Sequence, residues 1–327
     1  MREEYNHKIV PLGKAASKLF TQQLESWKDC ADSFSNLSKS QVKELSVGRT
    51  SFKIQYNPGR MISSSAVVDK NTVAARPCFL CEENRPAEQN YLSFADYQVL
   101  VNPFPIFWEH YTIANKRHQN QSIKNSFKQM LELTENMGDD YAVLYNGPEC
   151  GASAPDHLHF QAVLKDTLPI SEDLDNAHKF SIAEFRVFDS TKIYFPDDGV
   201  RRYIQIESDN VKSLLQAFKI VYETLAKVTG TKEEPKLNIL SYYNSSEMKH
   251  RVQIFPRTNH RPAEYFLEGE DKVLFSPGSV DMGGVAVTPR LEDFEKMTPK
   301  LLKHLLSQVV MSDEDFRNFL NEFAISI

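Results

Sequence analysis

The chain has 327 residues, 41% of them hydrophobic and 25% charged, with a net charge of −6 at neutral pH. This is the composition of a globular protein long enough for two domains. An acidic chain argues against nucleic acid as the main partner, no run of about 18 apolar residues could span a bilayer, and the start lacks the apolar core of a signal peptide. Four cysteines are too few for a disulfide framework and suit a reducing compartment, so a cytoplasmic protein without a membrane partner is expected.

In chain order, Leu19, Phe20, Leu24 and Trp27 are spaced for a helix over 17–30 that packs one face inward. Residues 50–56 alternate as a strand, and Asn57-Pro58-Gly59-Arg60 turns it. Taken by itself, Arg60 is a solvated turn residue. Cys78-Phe79-Leu80-Cys81 can be a redox pair, half a zinc site, or two buried thiols. The Glu-Asn-Arg-Pro that follows is not the helix start a thioredoxin-like pair needs, whereas zinc needs two further soft or borderline ligands. Strands over 97–102 and 110–114 flank Pro103-Phe104-Pro105, and the second runs into Asn115-Lys116-Arg117-His118. Ile123, Phe127, Met130, Leu131 and Leu133 then predict a helix over 119–137, with Gly138 as its C-cap. A strand over 141–145 delivers the chain to Asn146.

The turn that follows, Gly147-Pro148-Glu149-Cys150-Gly151-Ala152-Ser153-Ala154-Pro155, leads into a strand over 157–164. Alternation puts His157, His159 and Gln161 on one face and Leu158, Phe160 and Ala162 on the other, apolar face. A bare H-x-H is most often just the wet side of an edge strand. Here the Gly-Ala-Ser turn can aim backbone N–H groups at an anion, Gln161 continues the polar face, and a C-x-x-C lies upstream. Imidazole beside an anion cradle points to chemistry at phosphorus.

After a polar loop, strands are expected over 184–189, 192–195 and 201–207, a helix over 210–229, and strands over 236–243 and 251–255. The order strand, helix, strand, turn, strand repeats that of the first half and indicates a duplication, with Arg251 and Gln253 near the places of His157 and His159. Lys249, His250, Arg251, Arg257, His260 and Arg261 form the densest basic cluster. Its bland reading is a solvated face, but it is interrupted by Ile254, Phe255 and Pro256, and Arg257 and Arg261 have the guanidinium geometry for bidentate binding of a sugar phosphate or pyrophosphate. Helices over 291–306 and 313–323 end the chain.

Gly151-Ala152-Ser153 followed by His157-Leu158-His159-Phe160-Gln161 resembles the signature of the histidine-triad superfamily, in the branch of galactose-1-phosphate uridylyltransferase and the GDP-hexose phosphorylases. The run from Leu24 to Arg60 is also similar to the phosphorylases. The resemblance implies an α+β fold, a histidine-triad-like antiparallel sheet with packed helices in two such halves, the second degenerate. It divides the chain into an N-terminal appendage (1–75), a catalytic half (76–175) and a degenerate half with the basic cluster and C-terminal helices (176–327). It implies that Cys78, Cys81, His118 and His157 hold a structural zinc ion, His110 being the competitor for the place of His118. His159 would be the nucleophile. Gln161, where the hydrolases carry a third His, would hold the phosphoryl oxygens with Ser153. Asn146, Gly151, Arg60, Arg257 and Arg261 would face the substrate. The implied partners are a nucleotide sugar, GDP-hexose ahead of UDP-sugar, and phosphate or a sugar phosphate as acceptor; Mg²⁺ would accompany the substrate, and the branch allows a homodimer. Two rival readings are a nucleotide hydrolase and a non-catalytic, zinc-stabilised nucleotide-binding protein. Asn102, in place of a ribose-binding acid, and Asp156, ahead of the H-x-H, depart from the family pattern.

Overall fold

A computed structural model of the protein describes residues 3–4, 10–65 and 70–327. The rest of the 1–75 segment lies outside the described residues. An α+β architecture results, built on an eleven-stranded sheet and a three-stranded one. The strands in chain order are β1 (Glu3–Glu4), β2 (Gln41–Val47), β3 (Thr50–Tyr56), β4 (Tyr91–Phe94), β5 (Tyr97–Val101), β6 (Tyr111–Asn115), β7 (Tyr141–Asn146) and β8 (His159–Leu164), then β9 (Ser181–Val187), β10 (Thr191–Pro196), β11 (Ile204–Ser208), β12 (Leu237–Asn244), β13 (Lys249–Pro256) and β14 (Val285–Thr288). The large sheet runs β1-β4-β5-β6-β8-β7-β12-β13-β11-β10-β9.

Its connection order repeats. β4, β5, β6, the helix Phe127–Met137, β7 and β8 lie in the sheet as 4-5-6-8-7, and β9, β10, β11, the helix Val211–Thr229, β12 and β13 lie as 9-10-11-13-12. The two blocks meet antiparallel at β7 and β12, with Leu144 opposite Leu240. Phe127 and Phe218, one from each block's helix, stack at 3.7 Å between ring centroids.

Alternation along β8 decides what each face does. Phe160 and Ala162 are fully buried in the core formed with both long helices, the N-terminal helix Leu12–Ser26 and the C-terminal helix Asp313–Ser326. Full burial of such a phenylalanine contributes about 2–3 kcal/mol, which anchors the strand and so fixes where the intervening His159 and Gln161 point. That opposite face carries a second core, into which Leu144, Leu240 and Phe255 pack with β3, β14 and the helix Pro299–Ser307. The small sheet, β2 and β14 on either side of β3, reaches the site directly: Gln55 and Asn57 donate to the carbonyls of Ile106 and Pro105.

Several expected boundaries move for identifiable reasons. The 17–30 helix is two helices, Leu12–Ser26 and Lys28–Leu37, separated at the extended Trp27. The helix expected over 119–137 begins only at Phe127, although Gly138 ends it with φ of 86° as expected. The 291–306 helix breaks before Pro299, where a helix interior cannot accept proline. Among the described residues no helix is long and apolar enough to cross a membrane.

Candidate active site and metal centre

Cys78, Cys81, His118 and His157 converge so that one ligand atom from each lies within 4.8 Å of the others. Cys78 Sγ is 3.3 Å from His157 Nδ1, Cys81 Sγ 3.3 Å from His118 Nδ1, and Cys81 Sγ 3.6 Å from His157 Nδ1. A tetrahedral zinc ion with ordinary Zn–S and Zn–N bonds sets S···N edges of about 3.5 Å, so the donor set fits that ion. The second shell fits as well. His157 Nε2–H donates to the Asn115 carbonyl at 2.8 Å, which fixes the tautomer and leaves Nδ1 to face the thiols. His118 Nε2 lies 3.9 Å from Asp156, and Arg76 reaches the same carboxylate at 3.3 Å. Asp156, unusual for the family pattern, thus backs a ligand of the cluster.

His157 itself precedes β8, which starts at His159 rather than at 157. Its carbonyl accepts the Nδ1–H of His159 at 2.8 Å. With Nδ1 protonated, the Nε2 of a neutral ring carries a lone pair. Burial pushes the His159 imidazole down to about 4, and the carbonyl bond offsets only part of that effect. At neutral pH the ring is therefore neutral, with its tautomer fixed and a lone pair on Nε2.

Gln161 lies one pleat further along the same face. His110, fully buried, accepts the Ile106 N–H at Nδ1 (3.2 Å) and so carries its proton on Nε2, which donates to Gln161 Oε1 at 2.7 Å. The amide is thereby oriented with its NH₂ group free to donate. Burial first, and the Arg60 charge besides, lower His110 to about 3, against the raising effect of its bond to Gln161. His110 is neither a zinc ligand nor a surface residue; it holds Gln161.

The 146–156 turn is shaped by close approaches. Gly151 has φ of 93°, and a Cβ there would meet Gly278 Cα at 2.8 Å, so glycine is required on both counts. Asn146 Oδ1 accepts from Ser279 N–H and from Asn238 Nδ2, tying the 146–156 turn to β12 and to the 277–279 segment. Ser153 is half-buried, and its carbonyl accepts from Arg76 at 3.2 Å. Arg60 donates to the Phe104 carbonyl at 2.8 Å, beside the His110 loop. Asn102 accepts the Phe104 N–H and so caps the turn leading to that carbonyl.

The basic cluster separates on inspection. Arg257 is 1% exposed and donates to Val309, Pro277, Asn259 and His260 carbonyls and to Asn238. All five guanidinium N–H groups are thus consumed inside the protein, so Arg257 braces the 277 segment and has no donor left for a substrate. Arg261 is half-buried, bonded to Ser276 and stacked on Tyr265 at 4.1 Å. Arg251 pairs with Asp175 and Glu247. Sequence reasoning missed Arg76, Gln121 and the role of His110. Gln121 carried no usable signal, because it sits inside an apolar periodicity that reads as helix.

A family model described as a domain of unknown function (DUF4922) matches residues 19–164, a stretch that contains the Cys pair, His118 and the H-x-H-x-Q strand. No curated protein matches the sequence. Among solved structures, yeast Ap4A phosphorylase Apa2 in complex with Ap4A superposes with a TM-score of 0.61 at 17% identity, covering 95% of this chain and 99% of that one. The chain has the fold of that phosphorylase. The same yeast enzyme without that ligand gives a TM-score of 0.56 at 16% identity over 87% of this chain and 97% of its own. Its complex with AMP gives 0.50 at 16% identity over 88% and 98%. Near-complete coverage of both chains means that the likeness in fold extends to the second block of the sheet as well as to the first.

Proposed function

We propose that the protein is a nucleotidyltransferase of the phosphorylase type, acting on a nucleotide with a pyrophosphate linkage through a covalent nucleotidyl-histidine intermediate. The observation that carries this reading is the His159 ring, buried and neutral, with Nδ1–H held by the His157 carbonyl. Nε2 attacks the α-phosphorus, the bond from that phosphorus to the bridging oxygen breaks, and the leaving phosphate or sugar phosphate takes the electron pair. The imidazolium formed keeps its Nδ1 proton against a carbonyl oxygen, which stabilises the charge. Gln161, oriented by His110, donates its NH₂ to a non-bridging oxygen, with Ser153 and the amides of the Gly151 turn facing the same charge. Arg60 and Arg261 are the cations proposed for the remaining phosphates. An acceptor phosphate oxygen then attacks phosphorus, the P–N bond breaks, and the free ring is regenerated. Zinc, held by Cys78, Cys81, His118 and His157, would be closed to substrate and would fix the backbone from which His159 projects.

The repeated strand order supports a division into a catalytic half (76–175) and a degenerate half (176–327) behind an N-terminal appendage. In this reading the second half keeps the scaffold, with Arg251 and Gln253 on β13 in place of the chemistry, and lends binding residues. For the donor, sequence resemblance favours a GDP-hexose; a dinucleoside polyphosphate is the second reading, favoured by the likeness to an Ap4A phosphorylase over the whole chain. Intact-mass measurement after brief incubation with GDP-, UDP- and ADP-sugars and Ap4A, without acceptor, tests both. A single nucleoside monophosphate adduct, absent from His159→Ala, is expected and its mass names the base. Turnover that proceeds with no P–N adduct under rapid quench, or turnover retained by His159→Ala, would overturn it.

A further inference from the structure

We propose that Gln121 is the positioning residue for the nucleophile, held in place from the other half of the molecule by Glu234; the role rests on the nucleotidyl-transfer reading of His159. β7 and β8 pair regularly from Tyr141 opposite Leu164 to Leu144 opposite Gln161. Two pairs further in the same register, Asn146 would face His159, but the regular pairing ends before that point, next to the turn over 147–156. The Gln121 side chain occupies the gap. Its Oε1 accepts the His159 N–H at 2.8 Å, and its Nε2 donates to the Asn146 carbonyl at 2.8 Å and the His159 carbonyl at 3.0 Å. A side-chain amide offers the donor and acceptor pattern of a backbone peptide, so it replaces the missing ladder bonds while leaving the strands apart.

The Gln121 segment is itself braced. Gln121 N–H donates to Pro155 O at 3.0 Å, and the Gln119 carbonyl accepts from Leu158. Glu234, on the connection between the helix Val211–Thr229 and β12, accepts from Ser122 Oγ (3.0 Å) and Ile123 N–H (2.7 Å) with one oxygen and from Tyr145 OH with the other. These bonds explain why the helix starts only at Phe127, and they make the second half a structural requirement of the first half's catalytic strand. The His159 ring is aimed by its own backbone and by the His157 carbonyl, so loss of the Gln121 bracket displaces Nε2 from in-line attack. A displacement of about 1 Å costs on the order of 100-fold in rate.

The test uses the full-length zinc-loaded protein and three variants, Gln121→Met, Gln121→Glu and Glu234→Gln, the last leaving the catalytic strand itself untouched. Two quantities are read on each: hydrogen exchange of the His159 amide by NMR, and the single-turnover rate of adduct formation with the donor that labels the wild type, beside donor affinity, zinc content and urea midpoint. The expected result is faster His159 exchange in all three and adduct formation slowed about 100-fold in both Gln121 variants, with donor affinity within about threefold and zinc retained. Glu234→Gln is expected to lie between these and wild type, and it keeps the test decisive if the Gln121 variants do not fold. An unchanged adduct rate per folded molecule would reduce Gln121 to a stabilising residue, and unchanged protection of the His159 amide would overturn the bracket itself. If wild type forms no adduct with any donor, the nucleotidyl-transfer reading fails separately, while the exchange measurement still decides whether Gln121 holds His159.

Discussion

Replacing His110 by phenylalanine separates two consequences of one buried ring. The substitution keeps an aromatic of similar size but removes the 2.7 Å bond to Gln161 and the acceptor for Ile106 N–H. An orphaned buried N–H costs about 1–3 kcal/mol of stability. Loss of the bond that orients Gln161 removes a further ~0.5–1.5 kcal/mol of bias for the NH₂-outward amide, so nucleotidyl transfer should slow by roughly 2- to 10-fold. This is far less than the roughly 10²–10³ expected if Gln161 itself is truncated. The stability effect should also depend on pH in a definite direction. The folded-state pKa of His110 is about 3, below the ordinary value of about 6.5, so the unfolded chain binds the proton first. The neutral ring's contribution is complete above about pH 6.5 and is lost as pH falls towards the folded value, amounting to about 2 kcal/mol by pH 5. His110→Phe lacks this component. Its deficit relative to wild type, measured by urea unfolding, should be largest at about pH 7.5 and about 2 kcal/mol smaller at about pH 5. A deficit that does not change with pH would refute a buried neutral His110, and an unchanged transfer rate would refute its control of Gln161.

Three further outcomes are expected. The protein should bind one zinc ion per chain by elemental analysis; Cys78→Ser or prolonged chelation should lower the melting temperature and loosen the backbone at 157–159 before any global unfolding. Arg257→Ala should cost several kcal/mol in urea unfolding, at about 0.5–1.5 kcal/mol for each of its five hydrogen bonds; Arg261→Ala, which removes a bond to Ser276 and a stack on Tyr265, should cost less than Arg257→Ala and also weaken donor binding in calorimetry. Gly151→Ala should destabilise the turn and slow transfer, since the residue sits at φ of 93° against Gly278, whereas Gly278→Ala, whose Cβ would meet the Asn146 side chain at 3.1 Å, should be the milder of the two.

The parts of this protein that were legible in its sequence are those governed by local rules. Period-two alternation assigned Phe160 and Ala162 to the core and His159 and Gln161 to the polar face, and both assignments hold because a strand cannot place neighbours on one side. The C-x-x-C, His118 and His157 converge as the family resemblance implied, since metal-binding geometry constrains ligand types strongly enough to mark the sequence. Gly138 ended its helix where a left-handed residue is needed, while the start of that helix was misread because tertiary bonds to Gln119, Gln121 and Ser122 outweigh local propensity.

What only the tertiary structure decided is which polar residues work for the site and which work for the scaffold. Arg257 and Arg261 read alike in sequence, yet one spends every N–H on the protein's own oxygens and the other remains half-buried on a tyrosine ring. In sequence His110 competes with His118 for a metal position, but in the fold it is a buried neutral donor that sets an amide's orientation. Gln121 read as one more helical position but takes the place of a missing strand pair. The roles of Gln121, His110 and Arg257 each depend on at least one partner 38 or more residues away: His159 for Gln121, Gln161 for His110 and Val309 for Arg257. A hydrogen bond between residues so far apart leaves no periodicity in a single chain; alternation, capping and ligand chemistry, which are local, do.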